Sequence, residues 1–149
     1  MSVYKSKRGV SAIRFIEVAR QLEVHTLACC VKSPKRYTFF LTTEIMRLAS
    51  EIHERVKTAN TIFPVNKHEA QLRRDEFTMA YAACSNLDSK LILLYDIIKK
   101  EPDKEKYKWI DNAMKEWSKL ICEEKDLIKG IKKSDRQRYK DLKDEDNDD

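Results

Sequence analysis

Hydrophobic residues recur at intervals of three and four along most of the chain, which is the period of a helix that buries one face. The clearest run follows Ser33-Pro34, a pair typical of a helix start because proline suits the first helical position. Its apolar positions advance by four, three, four, four and three residues: Leu41, Ile45, Leu48, Ile52, Val56 and Ala59. This stripe predicts a helix from about residue 34 to Asn60.

Three further segments have the same period and cover about residues 11–31, 66–100 and 104–132. Ser11 is a candidate N-cap for the first segment. The third begins where Asn66 is followed three residues later by Glu69, the spacing of a capping box. The fourth follows Pro102-Asp103, which ends one helix and caps the next. The pattern therefore predicts four helices.

The connections between these helices are short, and short connections favour antiparallel neighbours. We therefore predict an all-α fold, an up-down-up-down antiparallel four-helix bundle. The 149 residues include only two glycines and three prolines, too few for the tight turns of a sandwich or barrel. With Gly9 and Gly130 as the only glycines, Gly-rich phosphate-binding loops are excluded as well.

The charge is distributed unevenly along the chain. Residues 134–149 carry four basic and seven acidic side chains, whereas residues 1–133 carry 26 basic and 18 acidic ones. We predict that residues 1–133 form the bundle domain, with a basic arm at 1–10, and that 134–149 form a disordered acidic tail. A basic body indicates a polyanionic partner.

Apolar runs and cysteine spacing predict the compartment. No run of about 18 apolar residues occurs, so we expect no membrane span, and the basic N-terminus lacks the apolar stretch of a secretory signal. The four cysteines have no zinc-site or redox-motif spacing. We therefore expect reduced thiols, a cytoplasmic location, no metal and no cofactor.

Basic residues near the helix ends are the candidate nucleic-acid-binding residues. In an up-down bundle, the starts of helices one and three share an end with the finishes of helices two and four. One end is predicted to collect Arg14, Arg73, Arg74, Lys129, Lys132 and Lys133. The other end is predicted to collect Lys35, Arg36, Lys99 and Lys100. Reversing the charge at Arg73 and Arg74 is then expected to weaken RNA binding while leaving the fold intact.

Two other functions fit parts of the sequence. Arg20 and His25 resemble the Arg-x4-6-His motif of HEPN-type ribonucleases, in which a cation stabilises the phosphorane while an imidazole moves a proton. Arg47 and His53 fit that motif more loosely. A protein–protein adaptor without RNA affinity is the third possibility.

A family resemblance lies in the second and third segments. The residues that carry it are Ser33-Pro34-Lys35-Arg36-Tyr37, Thr58-Ala59-Asn60, Leu72-Arg73-Arg74 and the Leu-rich stretch from Leu87 to Asp96. Over about residues 34–133 the chain resembles the accessory variability determinant (Avd) family of diversity-generating retroelements. That family lies within the four-helix proteins that include the 23S rRNA intervening-sequence proteins.

The resemblance implies a specific function. Avd proteins are basic pentamers of four-helix protomers, are not enzymes, and bind the element's reverse transcriptase and its template RNA to support mutagenic cDNA synthesis. We therefore expect a non-enzymatic accessory protein that binds a reverse transcriptase and RNA or DNA. We also expect this chain to form a homo-oligomer, with a pentamer favoured.

Overall fold

The structure of the chain is a computed structural model that describes residues 13–144. Over these residues the chain is all-helical, without strands, as predicted. Its four helices are α1 (Arg14–Cys30), α2 (Thr43–Thr61), α3 (Lys67–Ile98) and α4 (Ile110–Arg138). α1 packs against α2 and α4, and α3 packs against the same two helices. Among the described residues, no helix has the length and apolar character needed to span a membrane.

Within residues 13–144, one hydrophobic core lies between the four helices. Trp117 of α4 is fully buried in this core, and its indole Nε1 donates a hydrogen bond of 2.9 Å to Thr26 Oγ1 of α1. The Phe15 and Phe77 rings meet edge to face, with their centroids 5.6 Å apart. Burial of each such large side chain stabilises the fold by about 1.5–3 kcal/mol.

The start of α2 differs from the prediction. A 3₁₀ turn (Lys35–Tyr37) and a π-helical turn (Thr38–Thr42) precede the α-helix, which begins at Thr43 rather than near residue 34. The buried Glu101 carboxylate accepts hydrogen bonds from Arg36 and Tyr37 and ties the 3₁₀ turn to the end of α3. This distant contact holds the segment in a conformation that its apolar spacing did not indicate.

The start of α3 confirms the predicted cap. Asn66 Oδ1 accepts a hydrogen bond of 2.8 Å from the backbone N–H of Glu69. Glu69 Oε1 in turn accepts one of 3.0 Å from the N–H of Val65. The second bond reaches the residue before the cap rather than the N–H of Asn66 itself, as in a standard capping box, and two backbone donors beside the helix start are satisfied.

The bounds of α4 and of the tail need correction. α4 begins at Ile110, after turns over residues 104–109, and it continues to Arg138 instead of ending near residue 132. The predicted disordered tail therefore starts too early. Asp135 is buried at 7% exposure, and the carbonyl of Lys143 accepts a hydrogen bond of 2.8 Å from the N–H of Lys67. Ser11, the predicted arm at 1–10 and residues 145–149 lie outside the described residues.

Gly130 is a helix-interior glycine whose replacement is expected to stabilise the protein. Among the described residues, apart from the adjoining helix backbone and the two chain neighbours, an added Cβ would meet no atom within 4 Å, so alanine fits without strain. Because alanine restricts the unfolded chain and favours the helix, Gly130→Ala is expected to raise the free energy of unfolding by about 0.5–1 kcal/mol. Urea unfolding followed by circular dichroism measures the change, and a decrease would contradict it.

Candidate nucleic-acid interface

Arg73 is buried inside the protein, although the sequence predicts it on a nucleic-acid-binding surface. Its side chain is buried, at 7% exposure, and its Nε donates a hydrogen bond of 2.6 Å to Asp135 Oδ2 on α4. Its Nη1 also donates to the carbonyls of Ala59 and Ile62 at the end of α2, at 3.1 and 3.2 Å. The guanidinium joins three elements inside the protein. The prediction that Arg73 contacts phosphate is therefore corrected, as is the expectation that reversing its charge leaves the fold intact.

Two other predicted cations are paired with carboxylates. Arg14 donates to Glu123 Oε1 from Nε and Nη2, at 2.9 and 2.6 Å. Arg36 is bonded to Glu101, and its guanidinium lies 5.0 Å from the Tyr37 ring centroid. These pairs cancel charge locally, so neither arginine adds much to a positive surface.

Most of the other cations predicted at the same end as Arg73 lie along the boundary between α3 and α4. Lys125, Lys129 and Lys132 are four and three residues apart and share one face of α4, because these spacings bring side chains to the same side of a helix. Arg74 is four residues before Thr78, which contacts Lys132, so Arg74 shares that side of α3. We call this surface the basic α3–α4 face and define it by Arg74, Lys125, Lys129 and Lys132.

Two α3 side chains position these lysines. The Lys125 and Lys129 ammonium groups lie 5.1 and 5.5 Å from the centroid of the Tyr81 ring, within cation–π range. Lys132 Nζ donates a hydrogen bond of 2.9 Å to Thr78 Oγ1. The ammonium groups are thereby held along a line that spans about 10 Å at 1.5 Å rise per residue.

The cations of the basic α3–α4 face differ from the paired arginines described above in having no carboxylate at ion-pair distance among the described residues. None of its four cations forms an ion pair within residues 13–144, in contrast to Arg14, Arg36 and Arg73. Lys133 is exposed on the outer side of α4, next to this face. Arg74, Lys129 and Lys132 were among the predicted residues, whereas Lys125 and Tyr81 were not. The i, i+4, i+7 spacing of the three lysines is the sequence signal that points to Lys125.

The opposite end of the molecule combines cations with aromatic rings. Lys32 Nζ lies 5.0 Å from the Trp109 ring centroid. Lys99 Nζ pairs with Asp111 Oδ2 at 2.9 Å and lies 5.2 Å from the Tyr95 ring centroid. Lys35 and Lys100 are exposed there. The predicted second group of cations is therefore partly paired and partly accessible.

The residues of the ribonuclease alternative do not converge. Arg20 pairs with Glu17 on the outer side of α1, with 2.6 Å between Nη2 and Oε1. His25 lies about 140° away around the helix. Its Nε2 is 3.0 Å from the Ala113 carbonyl, and its ring meets the Trp117 ring edge to face. His53 Nδ1 is bound to Glu23 Oε2 at 2.7 Å, away from the Arg47 side chain, which pairs with Glu44 and Glu51.

The four cysteines are free thiols with different environments. Burial raises the pKa of Cys29 and Cys30 to about 11 and that of Cys84 to about 12. Cys122 is exposed on α4. Within residues 13–144, no cluster of three or more histidine, cysteine or acidic side chains is arranged to hold a metal ion.

In comparisons with known proteins, no protein-family model, no curated protein and no solved structure matches this chain.

Proposed function

We propose that this chain is a non-enzymatic nucleic-acid-binding accessory protein that holds an RNA backbone on its basic α3–α4 face. The observation that carries the proposal is the alignment of Arg74, Lys125, Lys129 and Lys132 on one side, without ion pairs to the described carboxylates. Aligned cations attract a polyphosphate because binding releases its condensed counterions.

The mechanism of this binding is electrostatic. Tyr81 and Thr78 hold the lysine side chains near the positions in which they meet phosphate, which reduces the side-chain entropy lost on binding. Each phosphate contact contributes about 0.7–0.9 units to the log–log salt dependence of affinity. Because such contacts read the backbone, we expect little sequence preference at this face.

We further propose that the partner protein is the reverse transcriptase of a diversity-generating retroelement. The Avd resemblance over residues 34–133 supports this partner, with RNA, or DNA, as the template. The absence of a converging Arg20–His25 pair supports a role without catalysis. Four free thiols support a cytoplasmic location, since disulfides persist in oxidising compartments.

The proposed architecture is an up-down-up-down antiparallel bundle that assembles into a homo-oligomer, with a pentamer favoured. Contacts at helix ends support antiparallel neighbours. Cys30 Sγ, at the end of α1, lies 3.7 Å from the Thr42 carbonyl just before α2. Arg73, early in α3, contacts the carbonyl of Ala59 late in α2. Two exposed apolar residues, Leu27 on α1 and Val31 directly after it, support association between copies.

Reversing two charges of the basic α3–α4 face tests the binding proposal. The Lys129→Glu/Lys132→Glu variant loses two phosphate contacts, so its affinity for RNA at about 50 mM salt is expected to fall at least tenfold. The slope of log Kd against log salt is expected to decrease by about 1.5 units. Fluorescence anisotropy with a labelled RNA measures both quantities.

The matched control is Lys57→Glu/Lys119→Glu, which changes the net charge equally at exposed positions away from this face. Its affinity is expected to fall much less. Equal losses in the two variants would show that only net charge matters and would refute the assignment of this face. The RNA is also examined on a denaturing gel, where cleavage by the wild-type protein would contradict the non-enzymatic role.

A further inference from the structure

Two phenylalanine side chains project from the turn before α2. Phe39 is 87% exposed and Phe40 is 83% exposed, which makes them the most exposed large apolar side chains of the described residues. Their rings are perpendicular, with an interplanar angle of 89° and centroids 5.3 Å apart. Exposed apolar side chains of this size mark a contact surface, because leaving them in water is unfavourable.

The turn that carries these rings is anchored on both sides. On the N-terminal side, Tyr37 and Arg36 are bonded to the buried Glu101 carboxylate. On the C-terminal side, Thr42 is buried, and the Cys30 Sγ–H donates toward its carbonyl. The residues between are in π-helical conformation, which is frequent at functional sites. Phe39 and Phe40 are therefore presented by an ordered segment.

Three lysines lie beside this turn or beside the residues that anchor it. Lys35 is exposed one helical turn before Phe39. Lys100 is exposed next to Glu101, whose carboxylate the 3₁₀ turn binds. Lys32 directly precedes Ser33-Pro34, and its ammonium group is over the Trp109 ring. Since the Glu101 carboxylate is already occupied by Arg36 and Tyr37, it does not neutralise these lysines.

We propose that Phe39 and Phe40 form a stacking platform for the bases of a single-stranded nucleic acid, with Lys35 and Lys100 holding the flanking phosphates. Exposed aromatic rings beside a cationic surface are the combination that single-strand-binding proteins use. The inference rests on the proposed function and deepens it, because it names single-stranded nucleic acid as the ligand class.

The chemistry favours a single strand over a duplex. Bases in a duplex are stacked on one another, so their faces are not available to a protein ring. Tyr81 on the basic α3–α4 face is not an equivalent platform, because its ring carries the ammonium groups of Lys125 and Lys129. The two surfaces thus have different roles. The basic α3–α4 face binds the phosphate backbone of single-stranded or duplex nucleic acid, and the turn that carries Phe39 and Phe40 selects unpaired bases.

The experiment compares variants that keep or remove the aromatic faces. Phe39→Leu/Phe40→Leu retains apolar bulk but has no ring, whereas Phe39→Trp/Phe40→Trp retains rings that fluoresce. With a single-stranded oligouridylate of about 12 nucleotides, the leucine variant is expected to lose about tenfold or more in affinity. The tryptophan variant is expected to bind like wild type, with its emission quenched by the oligonucleotide. Affinity for an RNA duplex of equal length is expected to be unchanged in both.

Phe63→Leu is the matched control, since Phe63 is 79% exposed elsewhere on the protein. Unchanged single-strand affinity in the Phe39→Leu/Phe40→Leu variant would overturn the platform, as would an equal loss on duplex RNA. Light scattering without RNA supplies a further outcome. If the Phe39→Leu/Phe40→Leu variant has a lower oligomer mass than the wild type, the two rings form contacts between copies instead.

The outcomes separate this inference from the proposed function. If the wild type binds RNA and only the Lys129→Glu/Lys132→Glu variant weakens it, the platform is refuted and the basic α3–α4 face stands. If the wild type binds neither single-stranded nor duplex RNA, both proposals are refuted. Both proposals are supported if the Phe39→Leu/Phe40→Leu variant loses only single-strand affinity and the Lys129→Glu/Lys132→Glu variant loses affinity for single-stranded and duplex RNA alike.

Discussion

The Arg73→Met variant is expected to unfold far more easily than the wild type, with the free energy of unfolding lowered by about 3–5 kcal/mol. The substitution leaves Asp135 buried at 7% exposure without its cation. It also removes the donor to the carbonyls of Ala59 and Ile62, which are left with one hydrogen bond fewer at the end of α2. Urea unfolding at neutral pH measures the loss.

A double variant and a neighbouring variant control this measurement. Arg73→Met/Asp135→Leu removes both charges, and replacing a buried pair by apolar residues is often close to neutral, so much of the stability is expected to return. Arg74→Met, at the next position, is expected to change the free energy of unfolding by less than about 1 kcal/mol. If Arg73→Met lowered the free energy of unfolding as little as Arg74→Met does, the structural role of the buried pair would be contradicted.

Glu124 is expected to make the stability of the wild type fall as the pH rises. Its side chain is completely buried, and neither carboxylate oxygen has a hydrogen-bond partner among residues 13–144. The pKa of Glu124 is raised from 4.5 to about 8, mainly by burial and to a smaller extent by the nearby Glu123 carboxylate, while Arg14 opposes the shift. The folded protein therefore holds this proton more tightly than the unfolded chain does.

The direction of the pH effect follows from this difference. The stabilisation is complete below pH 4.5, where both states are protonated, and it is lost progressively as the pH rises through about 8. The slope reaches about 1.4 kcal/mol per pH unit over the roughly 3.5 pH units between the two pKa values, so the total loss is about 5 kcal/mol. Glu124→Gln cannot ionise, and it is expected to be more stable than the wild type at pH 9 by about 2–4 kcal/mol.

Denaturant unfolding of the wild type and of Glu124→Gln at pH 5, 7 and 9 tests this prediction. Glu116→Gln is the control, because Glu116 is exposed on the same helix and its loss is expected to leave the pH dependence in place. If the stabilities of the wild type and Glu124→Gln run parallel from pH 5 to 9, Glu124 does not hold a proton in the core.

The core could be predicted from the sequence because burial follows the helical period. In α2, the predicted positions Ile45, Leu48, Ile52 and Val56 are all buried at 3% exposure or less. The turn from Lys35 to Thr42 could not be predicted in this way. It depends on Glu101, more than sixty residues further along the chain, and periodicity describes only neighbours within a few turns.

The candidate site was predictable only in part, for a similar reason. A charged residue in a helix pattern is assigned to solvent by default, which is right for Lys129 and wrong for Arg73. The partner of Arg73 is Asp135, in a segment whose acidic composition indicated a tail. Composition does not show that one carboxylate of that segment lies in the core opposite a guanidinium.

The unequal exposure of the four thiols makes α4 a place for a reporter group. Cys29, Cys30 and Cys84 have raised pKa values and are shielded to different degrees, whereas Cys122 is exposed to solvent. A maleimide reagent at neutral pH should therefore label the native protein at Cys122 without any substitution. Because Cys122 lies about two helical turns from Lys129, a dye or photocrosslinker attached there would sit beside the path assigned to the RNA backbone.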